Sequence, residues 1–272
     1  MAWHLIKRLG MAMRIPRLHL FELEDQSWFP VIVRDFATDY LHFIETAGRM
    51  HQPVVPLLAE ALRKTGATKI VDLCSGGAGP VVLLRDALIA EGLHVQFTLT
   101  DRFPNLPAFQ RAEKKADGGI TFAAESVDAR CVPKHLRGFR TMFNSFHHFA
   151  PADAKRVLAN AVEAGEPIGI FEFPDRSVPV ILSMIFVPLF VALGTPFIRP
   201  FRWARIFWTY VVPLVPLTCG WDGIVSQLRA YTVDELNALV RETGSGSYEW
   251  RVGRVALSPT PSHLTYLIGC PR

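Results

Sequence analysis

The sequence has 272 residues, a length that accommodates one large domain or two smaller ones. Half of the residues are hydrophobic and 20% are charged, which excludes disordered, collagen-like and low-complexity chains. The net charge of +4 does not indicate a dedicated nucleic-acid-binding protein, and it is compatible with an anionic small molecule or a membrane surface as partner.

The four cysteines are far apart and form no C-x-x-C motif, so the sequence predicts neither a disulfide framework nor a metal site. This pattern favours a reducing cytoplasm. Lys7, Arg8 and Arg14 interrupt the apolar N-terminal segment, which is therefore not expected to act as a secretory signal. Apolar residues recur at helical spacing opposite these charges and predict a basic amphipathic helix, packed on its own domain or on a membrane. These residues are Trp3, Ile6, Leu9 and Met13.

Predicted strands and helices alternate from residue 56 onward. Residues 56–64 favour a helix that Gly66 ends, and KIVDLC at 69–74 favours a buried strand. After the turn SGGAGP, Pro80 opens a helix that Gly92 ends. Further β-rich segments follow, with a helix opened by Pro151 between the last two, and they lie at 94–101, 119–125, 139–146 and 167–173. Such alternation predicts a doubly wound α/β domain built on a parallel sheet.

The C-terminal part of the chain departs from this alternation. A helix at 234–242 is followed by two β-rich segments, YEWRVGRVAL and HLTYLIGC, separated by SPTPS. The sheet is therefore predicted to end in a hairpin without another crossover helix. Most dinucleotide-binding domains do not end in this way.

In open α/β sheets a ligand binds at the carboxyl ends of the strands. Asp72 and the glycine-rich turn up to Gly79 follow the first strand, where glycines allow a ligand to approach the backbone. Asp101 ends the second strand and suits the hydroxyl groups of a ribose. Ser126 and Asp128 follow the third strand, where an acid could accept a hydrogen bond from the amino group of an adenine.

The segments VDLCSGGAG, TLTD, ESVDA and FNSFHHF, with the terminal hairpin, resemble the class I S-adenosylmethionine-dependent methyltransferases. The resemblance covers about residues 54–175 and 230–272. It implies S-adenosylmethionine as cofactor and a seven-stranded sheet of order 3-2-1-4-5-7-6, with the last strand antiparallel. The predicted division is an N-terminal helical cap at 1–53, a Rossmann-like methyltransferase domain at 54–175 and 221–272, and an apolar, mostly helical insertion at 176–220.

The resemblance also implies a set of cofactor-binding residues. Those at the methionine end are Asp72, Cys74, Ser75 and Gly76, within the turn that continues to Gly79. Those at the nucleoside and the methyl group are Asp101 for the ribose, Arg102 and Phe103 for the adenine face, Val127 and Asp128 for its edge, and Asn144 beside the methyl. The family's D-x-G-x-G-x-G motif reads D-x-C-x-G-x-A here, so that small residues, Cys74 and Ala78, replace two glycines.

Three residues are candidates for catalysis. His147 and His148 follow the fourth strand, and a neutral imidazole there could take a proton from an attacking group, although packing is an alternative role. Asp222 could act as a base or orient one, or could form a buried ion pair or a cap. The loop NSFH replaces the N/D-P-P-Y/F motif of amino-methylating enzymes and the Pro-Cys nucleophile is missing, which disfavours nucleic-acid substrates.

The insertion is the most unusual segment, because it has no acid between Ser177 and Gly220. Its apolar stretches at 178–193 and 211–217 are shorter than the ~20 residues of a membrane span, and prolines interrupt the first, so no transmembrane helix is predicted. Arg199, Arg202 and Arg205 alternate with aromatic residues, as at a bilayer interface. Three interpretations stay open: a lid over an apolar pocket, a monotopic membrane patch, and a dimer interface.

An aromatic and acidic segment at 21–43 precedes the first strand, and many class I enzymes close such a helix over the cofactor. Its candidate residues are Trp28, Phe29, Asp39 and Tyr40.

The sequence predicts a cytoplasmic enzyme that transfers a methyl group to a small hydrophobic or lipid-like acceptor. It is compatible with peripheral contact to the inner face of the membrane and with a homodimer. One alternative is an NAD(P)-dependent oxidoreductase, since the glycine-rich turn and Asp101 would also suit that cofactor. None of the five tyrosines has a lysine four residues later, so the short-chain dehydrogenase base is missing. The other alternative is a non-catalytic, membrane-associated protein with the same fold, motivated by Cys74 and Ala78.

Overall fold

The computed structural model describes residues 15–244, 246–257 and 263–272, which form two units. The sheet unit comprises residues 41–173 and 233–272, and the helical unit comprises residues up to 40 and 174–232. Residues 41–53 therefore group with the sheet and 221–232 with the insertion, whereas the sequence prediction divided the chain at 53, 175 and 220. The predicted N-terminal amphipathic helix and the SPTPS turn lie outside the described residues.

The sheet unit contains seven strands in the order β3-β2-β1-β4-β5-β7-β6, as predicted. Strand β7 runs antiparallel to both neighbours, and the pairings among β1 to β5 are all parallel. The strands are β1 (Lys69–Asp72), β2 (Gln96–Leu99), β3 (Ile120–Phe122), β4 (Phe139–Phe143), β5 (Ile168–Glu172), β6 (Tyr248–Ala256) and β7 (His263–Pro271).

Ten α-helices lie in the described part of the chain. They are α1 (Val31–Ala47), α2 (Val54–Thr65), α3 (Val81–Ala90), α4 (Leu106–Lys115), α5 (Pro151–Ala164), α6 (Val178–Ser183), α7 (Val187–Gly194), α8 (Trp203–Ile206), α9 (Leu214–Arg229) and α10 (Val233–Thr243). Short 3₁₀ turns occur at Phe146–His148, Met184–Phe186 and Thr195–Phe197, and a π turn at Phe207–Val211.

Strand register brings the predicted site residues to one edge of the sheet. Asp72 at the end of β1 is paired with Leu99 of β2 and with Thr141 of β4. Because these strands are parallel, the loops after β1, β2 and β4 leave the sheet at the same edge. An apolar core supports this edge from below, formed by residues such as Leu58, Ile70, Phe97, Phe139 and Phe171.

The structure corrects the prediction that no segment of the insertion is long enough to span a membrane. Helix α6, the turn at Met184–Phe186, helix α7 and the turn at Thr195–Phe197 form one continuous apolar helix, Val178–Phe197, of 20 residues. The sequence argument failed because it ended the stretch at residue 193, whereas the helix continues to Phe197. Pro179 lies in the first turn of α6, and Pro188 follows the 3₁₀ turn at Met184–Phe186, where the helix accommodates its missing N–H without ending.

Buried polar contacts organise the rest of the helical unit. Arg229 of α9 forms ion pairs with Glu22 at 3.0 Å and with Asp25 at 2.8 Å. Arg205 is buried, pairs with Asp39 and donates to the carbonyls of residues 198 and 200, so it is not the interfacial arginine that the sequence predicted. These contacts tie the chain before the sheet to the insertion within one unit.

Candidate functional site

Asp72 is buried at the carboxyl end of β1 and anchors the turn that follows. Its two carboxylate oxygens accept hydrogen bonds from the Ser75 and Thr141 hydroxyl groups, each at 2.7 Å. The backbone N–H of Ser75 also donates to the carbonyl of Thr100 at 2.9 Å. Asp72 therefore couples the loops after β1 and β2 to strand β4.

The turn after β1 holds non-glycine residues in a backbone conformation that usually needs glycine. Cys74 and Ala78 have φ angles of 58° and 71°, and Gly76 and Gly79 also have positive φ. Left-handed backbone is uncommon for residues with a Cβ and tends to persist at functional sites. Cys74 and Ala78 thus give the turn a glycine-like path.

Asp101, just after β2, faces this turn. Its carboxylate accepts the N–H of Gly76 at 2.8 Å and the N–H of Phe103 at 2.7 Å. The Arg102 guanidinium lies 5.6 Å from the centre of the Phe103 ring, which is 56% exposed. The structure therefore brings Asp101, the glycine-rich turn and an exposed aromatic ring together, and the binding of a nucleoside by these residues stays a prediction.

The loop after β3 joins the same edge, but its acid is already engaged. The backbone N–H of Val127 donates to the carbonyl of Asp101 at 2.8 Å. Asp128 forms an ion pair with Arg130 at 2.6 Å, and this hydrogen-bonded partner lowers the pKa of Asp128. The expected contact of Asp128 with an adenine amino group stays a prediction, and it would have to share this carboxylate with Arg130.

Asn144 follows β4 with a φ angle of 48° and links two elements. Its Nδ2 donates to the Glu45 carboxylate near the end of α1 at 2.7 Å, and its Oδ1 accepts the N–H of Phe173 at 2.9 Å. A Cβ atom added to Gly79 would lie 3.5 Å from the other oxygen of Glu45. Glu45 is thus a residue of this edge that the sequence analysis missed.

Two of the acids at this edge have raised pKa values. The pKa of Asp72 is raised to about 7, chiefly by burial; the hydrogen bonds from Ser75 and Thr141 oppose this rise, and the charges of Asp101 and Glu45 add to it. Burial likewise raises the pKa of Glu45 to about 7, against the hydrogen bond from Asn144. Ionised carboxylates that lie close together and are buried are stabilised by a cationic ligand and destabilised by an anionic one.

Glu172 at the end of β5 forms a second buried cluster that the sequence analysis missed. One carboxylate oxygen accepts the N–H groups of Ser145 and Phe146, both at 2.8 Å, and the other contacts His147 Nδ1 at 2.5 Å. Burial opposes ionisation of Glu172, but the charge and hydrogen bond of His147 outweigh it and lower the pKa of Glu172. The His148 ring centre lies 4.4 Å from that of His147.

The remaining predicted residues lie in the helical unit. Both carboxylate oxygens of Asp222 accept backbone N–H groups, from Leu23 at 2.7 Å and Glu24 at 3.1 Å. Burial raises the pKa of Asp222 to about 6. This geometry accounts for Asp222 as a cap of the N-terminal segment, and its role as a base stays a prediction.

The aromatic and acidic residues predicted before the first strand also lie in this unit. Trp28 is 67% exposed and packs edge-on against the buried Phe29, with 6.0 Å between ring centres. Asp39 forms an ion pair with Arg205, and Tyr40 is buried. Closure of these residues over a cofactor stays a prediction.

No family model matches the sequence, and no curated protein matches it. Solved structures do match. An O-methyltransferase family protein from Burkholderia thailandensis has 17% identity, covering 99% of this chain and 68% of that one, with a TM-score of 0.52. The plantazolicin methyltransferase BpumL, solved with a monoazolic desmethylPZN analog and SAH, has 13% identity, covering 99% of both chains, with a TM-score of 0.55. At these identities the likeness concerns the fold.

Proposed function

This chain has the fold of the class I S-adenosylmethionine-dependent methyltransferases, and we propose that it transfers a methyl group from that cofactor to a small hydrophobic or lipid-like acceptor. The observation that carries the proposal is the acidic edge of the sheet. Asp72, Asp101 and Glu45 lie around the glycine-like turn after β1, and the charges of Asp101 and Glu45 help to raise the pKa of the buried Asp72. S-adenosylmethionine carries two cationic groups, a sulfonium and an ammonium, against one carboxylate, so its net positive charge would stabilise the ionised acids of this edge.

The residues at this edge fit the cofactor. The turn from Cys74 to Gly79, left-handed at four of its six residues, would offer its backbone to the methionine end, and Asp101 would offer carboxylate oxygens to the ribose hydroxyls. Phe103 offers an exposed face to the adenine ring. When bound, S-adenosylmethionine supplies an electrophilic methyl group on its sulfonium.

The same acidic edge argues against the NAD(P) alternative. A dinucleotide would bring its anionic pyrophosphate to the turn after β1, close to the carboxylates of Asp72 and Glu45. The negative charges of these carboxylates and of the pyrophosphate repel each other, which disfavours binding of a dinucleotide. The missing tyrosine and lysine pair points in the same direction.

The hydrophobic character of the acceptor is supported by the composition of the chain itself. The insertion contains no acid between Ser177 and Gly220 and exposes large apolar side chains, which suits an enzyme that works on apolar molecules. An oxygen acceptor is favoured by the Burkholderia thailandensis protein, which is described as belonging to an O-methyltransferase family.

His147 is the proton acceptor in this proposal, and Glu172 positions it. With Nδ1 held by the buried carboxylate, Nε2 is the ring nitrogen left to accept a proton when the imidazole is in its neutral form. The two backbone N–H groups on the other oxygen of Glu172 fix the loop that carries the ring. Alignment of the acceptor and exclusion of water would supply most of the rate, and proton transfer to His147 a smaller part.

Methyl transfer is tested by incubating the purified protein with S-adenosylmethionine labelled in the methyl group and a bacterial lipid extract, then counting label in the organic phase. We expect incorporation by the wild-type protein, and a large loss in Asp101→Ala at subsaturating cofactor. Binding of S-adenosylhomocysteine without incorporation from any extract would favour the non-catalytic alternative. Thermal stabilisation by NADH but not by S-adenosylhomocysteine would favour the oxidoreductase.

A further inference from the structure

We propose that the helical unit docks on an anionic lipid bilayer through the outer side of the Val178–Phe197 helix and the segment that follows it, 198–211. This docking surface goes beyond the proposed methyl transfer and does not depend on it. In this proposal the helix lies in the plane of the membrane interface and does not cross the bilayer.

One side of the helix is exposed and strongly apolar. Over an 18-residue stretch the helix has a mean hydropathy of 2.3, and only 11% of that stretch is buried. Its exposed positions recur every three or four residues and form a continuous stripe, composed of Leu182, Ile185, Phe186, Leu189, Phe190, Leu193 and Phe197. A core helix of similar composition would be mostly buried, so the stripe lacks a protein partner within the described part of the chain.

The opposite side of the helix is packed, which fixes the stripe outward. Val191 and Thr195 are buried, and Thr195 lies 3.4 Å from Thr209 between their hydroxyl oxygens. Gly220 of α9 allows close approach, because a Cβ atom there would lie 2.9 Å from Cγ of Pro188. The exposed stripe is therefore a defined face of a packed helix.

Charge and aromatic residues indicate which surface this face meets. The segment has no acid between Ser177 and Gly220, so its formal charge is entirely positive. Arg199 is exposed at the end of the helix and Arg202 is partly exposed, near Trp203 at 78% exposure. Arginine and tryptophan at the edge of an apolar face suit the headgroup layer of an anionic membrane.

The segment after the apolar helix favours binding at the membrane surface over a pair of helices that cross the membrane. The segment Trp203–Val211 and helix α9 are bent by 72° relative to each other. Helix α9 carries Asp222, Gln227 and Arg229, all buried and engaged in polar contacts within the unit. Moving these groups into hydrocarbon would be costly, so α9 cannot serve as a returning span.

The proposal is tested by vesicle flotation of the full-length protein, with vesicles of pure phosphatidylcholine and of phosphatidylcholine mixed with phosphatidylglycerol. We expect flotation with the anionic vesicles, weakened but not abolished at high salt because the apolar part is insensitive to screening. The double variant Ile185→Glu, Leu189→Glu should lose flotation in both conditions. Arg199→Gln with Arg202→Gln should weaken binding to anionic vesicles by about fivefold per arginine and leave the apolar part.

Leu106→Glu is the matched control, since Leu106 is an exposed apolar residue of the sheet unit, and it should float like the wild type. Circular dichroism checks that each variant is folded. Flotation that persists in the Ile185→Glu, Leu189→Glu variant would place the binding surface elsewhere and overturn the proposal. A wild-type protein that ignores vesicles but forms a dimer, which the same variant dissociates, would replace the bilayer by a second copy of the chain.

Discussion

Asn144 holds Glu45 at 2.7 Å across 99 residues of sequence and thereby joins the loop after β4 to the end of α1. The same side chain accepts the N–H of Phe173, so both ends of its amide are fixed. Because Glu45 also lies beside Gly79, this contact completes the acidic edge around the turn after β1. The edge is thus built from the first helix as well as from the sheet.

Glu45→Gln should stabilise the ligand-free protein increasingly as the pH rises. The pKa of Glu45 is raised to about 7 in the folded protein, so ionisation costs stability that is absent below the ordinary pKa near 4.5 and fully present above pH 7. Glutamine avoids that cost. Chemical denaturation should give a free energy of unfolding similar to wild type at pH 5 and higher by about 1–3 kcal/mol at pH 8.

Glu60→Gln serves as the control for this experiment. Glu60 is exposed and pairs with Arg251, so glutamine there should cause a small loss of stability without a rise toward pH 8. A Glu45→Gln variant whose difference from wild type is constant between pH 5 and pH 8 would contradict the raised pKa.

Cys74→Val should damage the turn after β1, and Cys74→Gly should not. At a φ of 58° a β-branched side chain is strongly disfavoured, whereas glycine adopts this conformation freely. We expect Cys74→Val to lower the free energy of unfolding by about 1–3 kcal/mol and to weaken S-adenosylhomocysteine binding. Equal binding by the valine and glycine variants, measured by thermal shift, would show that the left-handed path does not matter.

Glu172→Gln should reduce turnover while leaving cofactor affinity nearly unchanged. One oxygen of Glu172 accepts two backbone N–H groups, so the glutamine carbonyl is expected to remain there and its NH₂ to face His147. His147 Nδ1 must then become the acceptor, which moves the proton to Nε2, the atom that the mechanism needs as a base. We expect kcat to fall by a factor of about 10² to 10⁴ and stability by about 1–3 kcal/mol.

His148→Ala separates this effect from general disturbance of the loop. His148 packs against His147, with 4.4 Å between ring centres, and its charge lies near Glu172, so its variant keeps the Glu172–His147 contact and should keep most of kcat if His147 is the base. Should Glu172→Gln retain wild-type kcat, His147 and Glu172 would be structural elements only.

Gly220→Ala should destabilise the protein, whereas Gly223→Ala should be neutral or stabilising. Both glycines lie in helix α9, where alanine is favoured by ~1 kcal/mol. The added Cβ at 220 would meet the rigid ring of Pro188 at 2.9 Å, while at 223 it would meet the flexible end of Met184 at 3.3 Å. Melting temperatures of the two variants provide the comparison, and a Gly220→Ala variant as stable as Gly223→Ala would contradict this packing.

The fold could be predicted from sequence because its signals are local. Short β-rich segments, Pro151 at a helix start and Gly66 at a helix end each mark an element without knowledge of the rest of the chain. The family resemblance then supplied the order of the strands. The insertion shows the limit of such signals, because Pro179 and Pro188 indicate breaks in the sequence although the helix continues past both of them.

The candidate site was only partly predictable, because some of its residues are defined by distant contacts. Asp72 ends a strand and Asp101 lies just after the next one, so both could be recognised by position. Glu45 lies on an amphipathic helix, and nothing in the local sequence distinguishes it from an acid that is exposed to solvent. Glu172 left a weak signal, since it is an acid in a strand whose residues are all buried.

The central claim is that the acidic edge of the sheet binds S-adenosylmethionine, and calorimetric titration of S-adenosylhomocysteine and of NADH into the wild-type and Asp101→Ala proteins tests it most directly. We expect one molecule of S-adenosylhomocysteine to bind per wild-type chain and NADH to give no binding heat. Loss of the ribose hydrogen bonds, each worth ~1.5–3 kcal/mol, should weaken S-adenosylhomocysteine binding at least tenfold in Asp101→Ala. Equal affinity of both proteins for S-adenosylhomocysteine, or tighter binding of NADH, would contradict the assignment.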